Sequence, residues 1–185
     1  RRSAGGGVMM SQTLEIPLTR GLTATIDAED FEKISQFKWC AKKSGSRYYA
    51  VAYVRGGGRS NNKQVAMHRL ILDYYGALDV DHINGNQLDN RKCNLRIVTR
   101  TQNNLNQKRI RGKTSRFKGV YFDKRRKRFV AEAKINGKRI FQKYFLTEIE
   151  AARAYDETAR KYFGEFACVN FGGESNASTQ FGKHS

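Results

Sequence analysis

The residues able to do chemistry are concentrated in one stretch. Asp81-His82 is followed by a polar loop, then by Asn94-Leu95-Arg96, then by Asn103-Asn104. A carboxylate and an amide oxygen are hard donors, suited to a Mg²⁺-like cation that keeps several of its waters. A neutral imidazole beside such an ion can take a proton from water near pH 7. The ion can stabilise charge on a phosphate and on its leaving oxygen. Arg91 or Arg96 could hold a phosphate. Together these are the parts needed to hydrolyse a phosphodiester. Within the loop, Asn84-Gly85 reads as turn chemistry, Asp89 and Asn90 as loop hydrogen bonders, and Cys93 as a buried or idle thiol.

Such residues act only if the chain brings them together. Val80 ends an apolar strand that delivers Asp81-His82, and Leu95 to Val98 forms a second strand. Thr99 is positioned to cap a short helix carrying Asn103 and Asn104. Strand, loop, strand and helix return the end of the stretch to its start, so carboxylate, imidazole and amide can converge.

This stretch resembles the HNH endonuclease family, whose ββα-metal motif has the same order of elements. The resemblance covers roughly residues 67–106 and includes Met67-His68-Arg69-Leu70-Ile71, Asp81-His82, Asn94-Leu95-Arg96 and the terminal asparagines. It implies that Asp81 binds one divalent metal, that His82 is the general base, and that Asn94 braces the loop orienting His82. It implies Asn103 as the second metal ligand, with Asn104 adjacent. An Asn in the last position, where the family name has His, implies Mg²⁺ (or Mn²⁺) rather than zinc. His68 lies outside this core, with a structural or DNA-contacting role open to it.

A second basic region follows. Lys124-Arg125-Arg126-Lys127-Arg128 falls at a turn between two strands, and Lys118, Lys134, Lys138, Arg139 and Lys143 flank it. On an exposed sheet face such side chains can contact phosphates or bases in a groove. Strands are expected over Phe117 to Tyr121, Arg128 to Ile135 and Lys138 to Phe145, with Asn136-Gly137 as a hairpin turn. Thr147-Glu148-Ile149-Glu150 is a capping box, and Ile149, Ala152, Tyr155, Ala159, Tyr162 and Phe163 recur at helical spacing before Gly164. Phe117-Lys118-Gly119-Val120, Ala131-Glu132, Ala151 to Asp156, Gly164 and Asn170-Phe171 resemble the plant ethylene-response-factor (Apetala-two) DNA-binding domain. That resemblance implies a three-stranded sheet laid in the major groove and backed by one helix. It implies contacts from Lys118, Tyr121, Arg128, Lys134, Arg139 and Phe141. Tyr121 and Asp123 stand where the plant domain has Arg, and Phe129 and Phe141 where it has Trp, so its base specificity does not transfer. An HNH motif joined to this domain resembles phage- or intron-associated homing endonucleases.

Composition agrees. The 185 residues carry 35 Lys plus Arg against 17 Asp plus Glu, a formal net charge of +18, which points to a polyphosphate partner. No apolar run reaches the ~18 residues of a membrane helix. Cys40, Cys93 and Cys168 are far apart, which argues against a disulfide framework or a Cys-rich zinc site and for a reducing compartment. Near the N-terminus, Leu14 to Leu18 and Thr23 to Ile26 read as strands around Arg20-Gly21, and Asp27 as a helix cap. Tyr48 to Val54 reads as a strand, and Val65 to Tyr75 as a strand leading into a helix. Trp39, Phe37, Tyr49 and Tyr53 read as core.

The expected fold class is α+β. Its parts are a tail over 1–13, an N-terminal α/β module over 14–66, the nuclease over 67–107, a basic linker over 108–114, a sheet-plus-helix DNA binder over 115–171 and a tail over 172–185. The expected function is site-specific, metal-dependent cleavage of double-stranded DNA leaving 5′-phosphate and 3′-hydroxyl ends. Such a protein would be cytoplasmic, bacterial or phage-encoded, and monomeric or homodimeric. The alternative is a non-enzymatic DNA-binding regulator with an inactive nuclease motif.

Overall fold

The computed structural model describes residues 12–55, 62–107 and 114–172. The glycine-rich stretch 56–61, the basic linker and both tails lie largely or wholly outside these residues. The chain divides into two compact units, residues 1–100 and 101–185, each with its own core.

The first unit opens with an antiparallel hairpin, β1 (Thr13–Pro17) and β2 (Thr23–Asp27). Arg20 and Gly21, with φ of 68° and 66°, turn the chain between them. A short helix α1 (Phe31–Ser35) leads to a three-stranded antiparallel sheet of β3 (Cys40–Ser44), β4 (Arg47–Arg55) and β5 (Asn62–Ala66). Helix α2 (Met67–Ile71) follows, then the antiparallel pair β6 (Asp79–His82) and β7 (Leu95–Val98). One hydrophobic cluster runs through all of this, from Ile16 and Ile26 through Ile34, Trp39 and Met67 to Leu95. Fully burying a side chain such as Ile26 or Met67 contributes about 1.5–3 kcal/mol, so β7 is anchored by the same core as the N-terminal hairpin. Trp39 can be buried because its Nε1–H donates to the Ile34 carbonyl at 2.9 Å.

Two local expectations fail here. Asp27 makes no capping hydrogen bond; its carboxylate accepts from the Lys92 backbone N–H at 2.8 Å instead. A long-range donor has won over the local helix. Tyr53 is exposed on β4 rather than in the core, and Val54 and Arg55 are exposed after it, because the end of the strand runs past the packed cluster.

Helix α3 (Arg100–Asn106) carries the chain into the second unit. There β8 (Val120–Asp123), β9 (Arg128–Ile135) and β10 (Lys138–Phe145) form an antiparallel sheet in sequence order, and helix α4 (Glu148–Phe163) packs on one face of it. Strand β8 begins at Val120, not Phe117, because Gly119 sits in the left-handed region at φ +71°. Asn136 and Gly137, at φ 50° and 76°, form the expected β9–β10 turn. Thr147 and Glu150 close both halves of the capping box. Ala151, Ala152 and Ala159 are fully buried, so the helix approaches the sheet closely, whereas Ile149 and Tyr162 are exposed. The buried stripe is thus narrower than the apolar spacing suggests, because the small alanines leave no depth for flanking side chains.

Gly119 is where that close approach is tightest. A Cβ there would lie 2.0 Å from Cδ2 of the buried Tyr155 ring. Gly119→Ala is therefore expected to lower stability by about 3 kcal/mol, through overpacking and left-handed strain together. Denaturant unfolding of the chain checks this, and an unchanged midpoint would contradict the packing described.

Candidate active site and DNA-facing sheet

In the first unit, strand register brings the expected residues together. Asp81 pairs across the ladder with Arg96, and His82 with Leu95. The Asp81 carboxylate accepts from Arg96 Nε at 3.0 Å and Nη2 at 2.9 Å, with both side chains largely buried. Arg96 is thus held at the carboxylate, able to present charge to a phosphate approaching it.

The loop between the strands is built from asparagine side chains. Asn94 Oδ1 accepts from the Asn84 N–H at 3.0 Å, while Asn94 Nδ2 donates to the Asp89 carbonyl at 2.7 Å. One buried amide therefore ties both arms of the loop. Asp89 receives a forked pair from Arg91, Nε at 2.8 Å and Nη2 at 2.7 Å, and a further bond from Asn84 Nδ2 at 2.8 Å. These donors, Arg91 foremost, hold the Asp89 carboxyl below its usual range. Arg91 is accordingly a loop-bracing residue in this structure as well as a candidate for phosphate. Cys93 is exposed, not buried.

The N-terminal hairpin reaches this loop directly. Thr25 N–H donates to the Leu88 carbonyl at 2.8 Å, and the Thr25 carbonyl accepts from the Asn90 N–H at 2.8 Å. Nothing in the local sequence of the motif signals this support.

His82 is only 3% exposed. Its Nε2 lies 3.2 Å from Asn90 Oδ1, and Asn90 is itself fully buried. The His68 ring stands edge-on to it at 5.3 Å between centroids, and Tyr49 at 6.4 Å. Burial lowers the His82 pKa, opposed by the Asn90 bond and by Asp81. Burial also lowers His68, to about 3, helped by His82 and Arg69. Both rings are therefore neutral near pH 7, the form a base requires. Asn90, His68 and Tyr49 were not identifiable as neighbours of His82 from spacing. The only signal was the unexplained Met67-His68-Arg69 segment upstream.

Asn103 and Asn104 lie on α3, counted with the second unit. Among the described residues no three His, Cys, Asp or Glu side chains gather as a metal cluster. The Asp81 carboxylate is a hard oxygen donor. That suits a hard divalent cation retaining water and phosphate ligands, and does not suit a closed structural zinc site.

The sheet of the second unit has two chemically distinct faces. Register places Tyr121, Val130 and Tyr144 in one cross-strand row, with Asp123–Arg128, Glu132–Gln142 and Lys134–Arg139 as the other pairs on that face. This face points away from α4. Glu132 bridges Lys134 Nζ at 2.7 Å and Arg139 Nε at 2.8 Å, and Tyr121 accepts from Gln142 Nε2 at 3.1 Å. Arg125 and Arg126 sit in the β8–β9 turn, Arg126 held by Asp123 at 3.2 Å and stacked over Tyr144. Two residues expected among the contacts lie elsewhere. Phe141 pairs with Ala133 and packs into the helix-facing core. Lys118 precedes β8, is half-buried, and donates its Nζ–H to the Leu105 carbonyl. Asp156 and Asn170 close the far end: the buried carboxylate accepts from the Asn170 and Phe171 N–H groups at 2.8 Å.

Comparison with known proteins agrees with both halves. The HNH endonuclease family matches residues 65–105, and the AP2 domain matches residues 115–165. An uncharacterized HNH endonuclease of Acanthamoeba polyphaga mimivirus is 32% identical over 157 residues, covering 82% of this chain and 76% of that protein. No solved structure matches. With the Asp-His strand, the asparagine-stitched loop and a relative matched across both units, the chain belongs to the HNH endonuclease family and carries an AP2 domain beside its nuclease motif.

Proposed function

We propose that this protein is a site-specific, metal-dependent DNA endonuclease of the homing type. The observation that carries this is the buried, neutral His82 adjoining Asp81, with an AP2-type basic sheet in the same chain. Asp81 and Asn103 would hold the divalent cation, with Asn104 the adjacent candidate. When bound, Mg²⁺ or Mn²⁺ supplies charge stabilisation at the phosphate and at the leaving 3′ oxygen. His82 takes a proton from the water that attacks phosphorus. Arg96 offsets charge at the phosphate, and Asn94 keeps the loop closed behind His82. In-line displacement forms a P–O bond from that water and breaks the P–O3′ bond; the 3′ oxygen takes a proton from solvent, leaving 5′-phosphate and 3′-hydroxyl ends. The outer sheet face, through Tyr121, Arg128, Lys134 and Arg139 with Arg125 and Arg126 at its rim, contacts the DNA groove and backbone. Glu132 between Lys134 and Arg139 fixes their direction and limits their freedom. A monomer bearing one such site would nick, and a dimer would cut both strands.

The test is incubation of a supercoiled plasmid library with Mg²⁺ and with EDTA. Relaxed or linear DNA is expected with Mg²⁺ alone, and end-sequencing then reports the site and end chemistry. Tight binding without cleavage, on DNA containing the target, would refute the nuclease reading and leave a DNA-binding regulator.

A further inference from the structure

We infer that Asn90 is a positioning residue that selects the tautomer of His82 and thereby makes Nδ1 its basic nitrogen. The constraint on Asn90 begins in the backbone. The Leu88 carbonyl accepts from the Thr25 N–H at 2.8 Å, and the Asn90 N–H donates to the Thr25 carbonyl at 2.8 Å. Strand β2 therefore fixes the loop on both sides of Asp89. The same Leu88 carbonyl accepts a second bond, from Asn90 Nδ2 at 3.3 Å. A carbonyl oxygen only accepts, so the amide nitrogen of Asn90 must face it. The amide oxygen must then face the other way, toward His82 Nε2 at 3.2 Å. An amide oxygen also only accepts, so Nε2 carries the proton. In the neutral ring the remaining nitrogen, Nδ1, holds the lone pair.

Burial makes this selection strict. Asn90 is fully buried and His82 is 3% exposed, so bulk water is not at hand to replace the bond. The alternative tautomer would set the lone pair of Nε2 against the lone pairs of Oδ1 and lose the hydrogen bond in a poorly solvated place. His68 and Tyr49, edge-on at 5.3 and 6.4 Å, hinder rotation of the ring out of this arrangement. The hairpin at the N-terminus thus reaches the base through three links: Thr25, Leu88 and Asn90. Its catalytic consequence rests on the nuclease reading, whereas the tautomer itself does not.

The experiment uses the full chain, free of metal, with ¹⁵N-labelled histidine. Long-range proton–nitrogen correlations report which ring nitrogen is protonated, and the His82→Ala spectrum assigns the signal among the three histidines. A protonated Nε2 and an unprotonated Nδ1 are expected in the wild type. Asn90→Leu, of similar size but with no acceptor, should give mixed or reversed tautomers. Its kcat should fall about 10- to 100-fold, the usual effect of removing a partner that orients an active histidine, with DNA affinity unchanged. Asn90→Asp, which keeps an acceptor, should keep Nε2 protonated. A wild-type ring protonated at Nδ1 overturns the inference, whether or not the leucine variant folds. So does a folded leucine variant with wild-type tautomer and kcat. A wild-type chain with the expected tautomer that cuts no DNA would refute the nuclease reading alone.

Discussion

Replacing His82 with alanine is expected to lower the cleavage rate by at least about 10²–10⁴-fold, the range a general base supplies, while DNA affinity stays within a factor of about three. The separation follows from placement. His82 is buried behind the asparagine-stitched loop, while the basic outer sheet belongs to the other unit. The Asp81–Arg96 pair does not need the imidazole, since its bonds are made between neighbouring strands. Alanine leaves a cavity beside His68 and Tyr49, which is expected to cost about 2–3 kcal/mol. Thermal melting must therefore accompany the assay, so that lost activity is not lost fold. Single-turnover cleavage of a plasmid, with a filter or gel-shift binding measurement beside it, decides the matter. A folded His82→Ala chain that cuts at the wild-type rate would end the assignment of His82 as base.

The second large effect concerns recognition. Simultaneous replacement of Arg125, Arg126, Arg128 and Lys134 by alanine is expected to weaken specific binding by roughly 10³-fold or more, at about 1–3 kcal/mol for a base-reading side chain and less for a phosphate contact. The salt dependence should flatten as well, because each lost phosphate contact removes about 0.9 from the slope of log K against log salt. These four side chains lie in the β8–β9 turn or on exposed positions of β9, outside the core formed by Val120, Ala131, Ala133 and the alanines of α4. The unit should therefore stay folded. Some compensation comes from Glu132, which loses Lys134 but keeps Arg139 at 2.8 Å. Titration of target duplex against the variant at several salt concentrations measures both quantities. Wild-type affinity with an unchanged salt slope would show that DNA is bound by some other surface.

Much of this molecule is local and therefore readable along the chain. The hairpin at Asn136-Gly137 needs only two residues that accept positive φ, and both adopt it. The start of α4 needs only Thr147 and Glu150 three residues apart, and the capping box forms. Asp81 and Arg96 become neighbours because two short strands joined by one loop have a single compact pairing, which the register satisfies. The Asp-His…Asn…Asn order and the basic cluster are likewise sequence facts, and the family match covers them.

Other features depend on parts of the chain that are distant in sequence. Asp27 gave up a local cap for the Lys92 N–H, a partner 65 residues away. His68 and Tyr49 meet His82 only because α2 and β4 pack on the core that also buries Leu95. Asn90 could be read as a loop hydrogen bonder, but its partner could not, since the amide is oriented by a carbonyl that β2 holds. The fate of Phe141 turned on a single residue. A register shift between Arg139 and Phe141 inserts Ile140 into β10, so Arg139 stays on the outer face while Phe141 turns toward α4. Simple alternation puts those two residues on the same face, and a one-residue bulge reverses every side chain that follows it. Residue types and short spacings determined the family to which the chain belongs and where its basic sheet lies. Tertiary packing decided which atoms point at one another, because the free energy of burying a strand or a ring is settled by what covers it, and the covering residues lie tens of positions away.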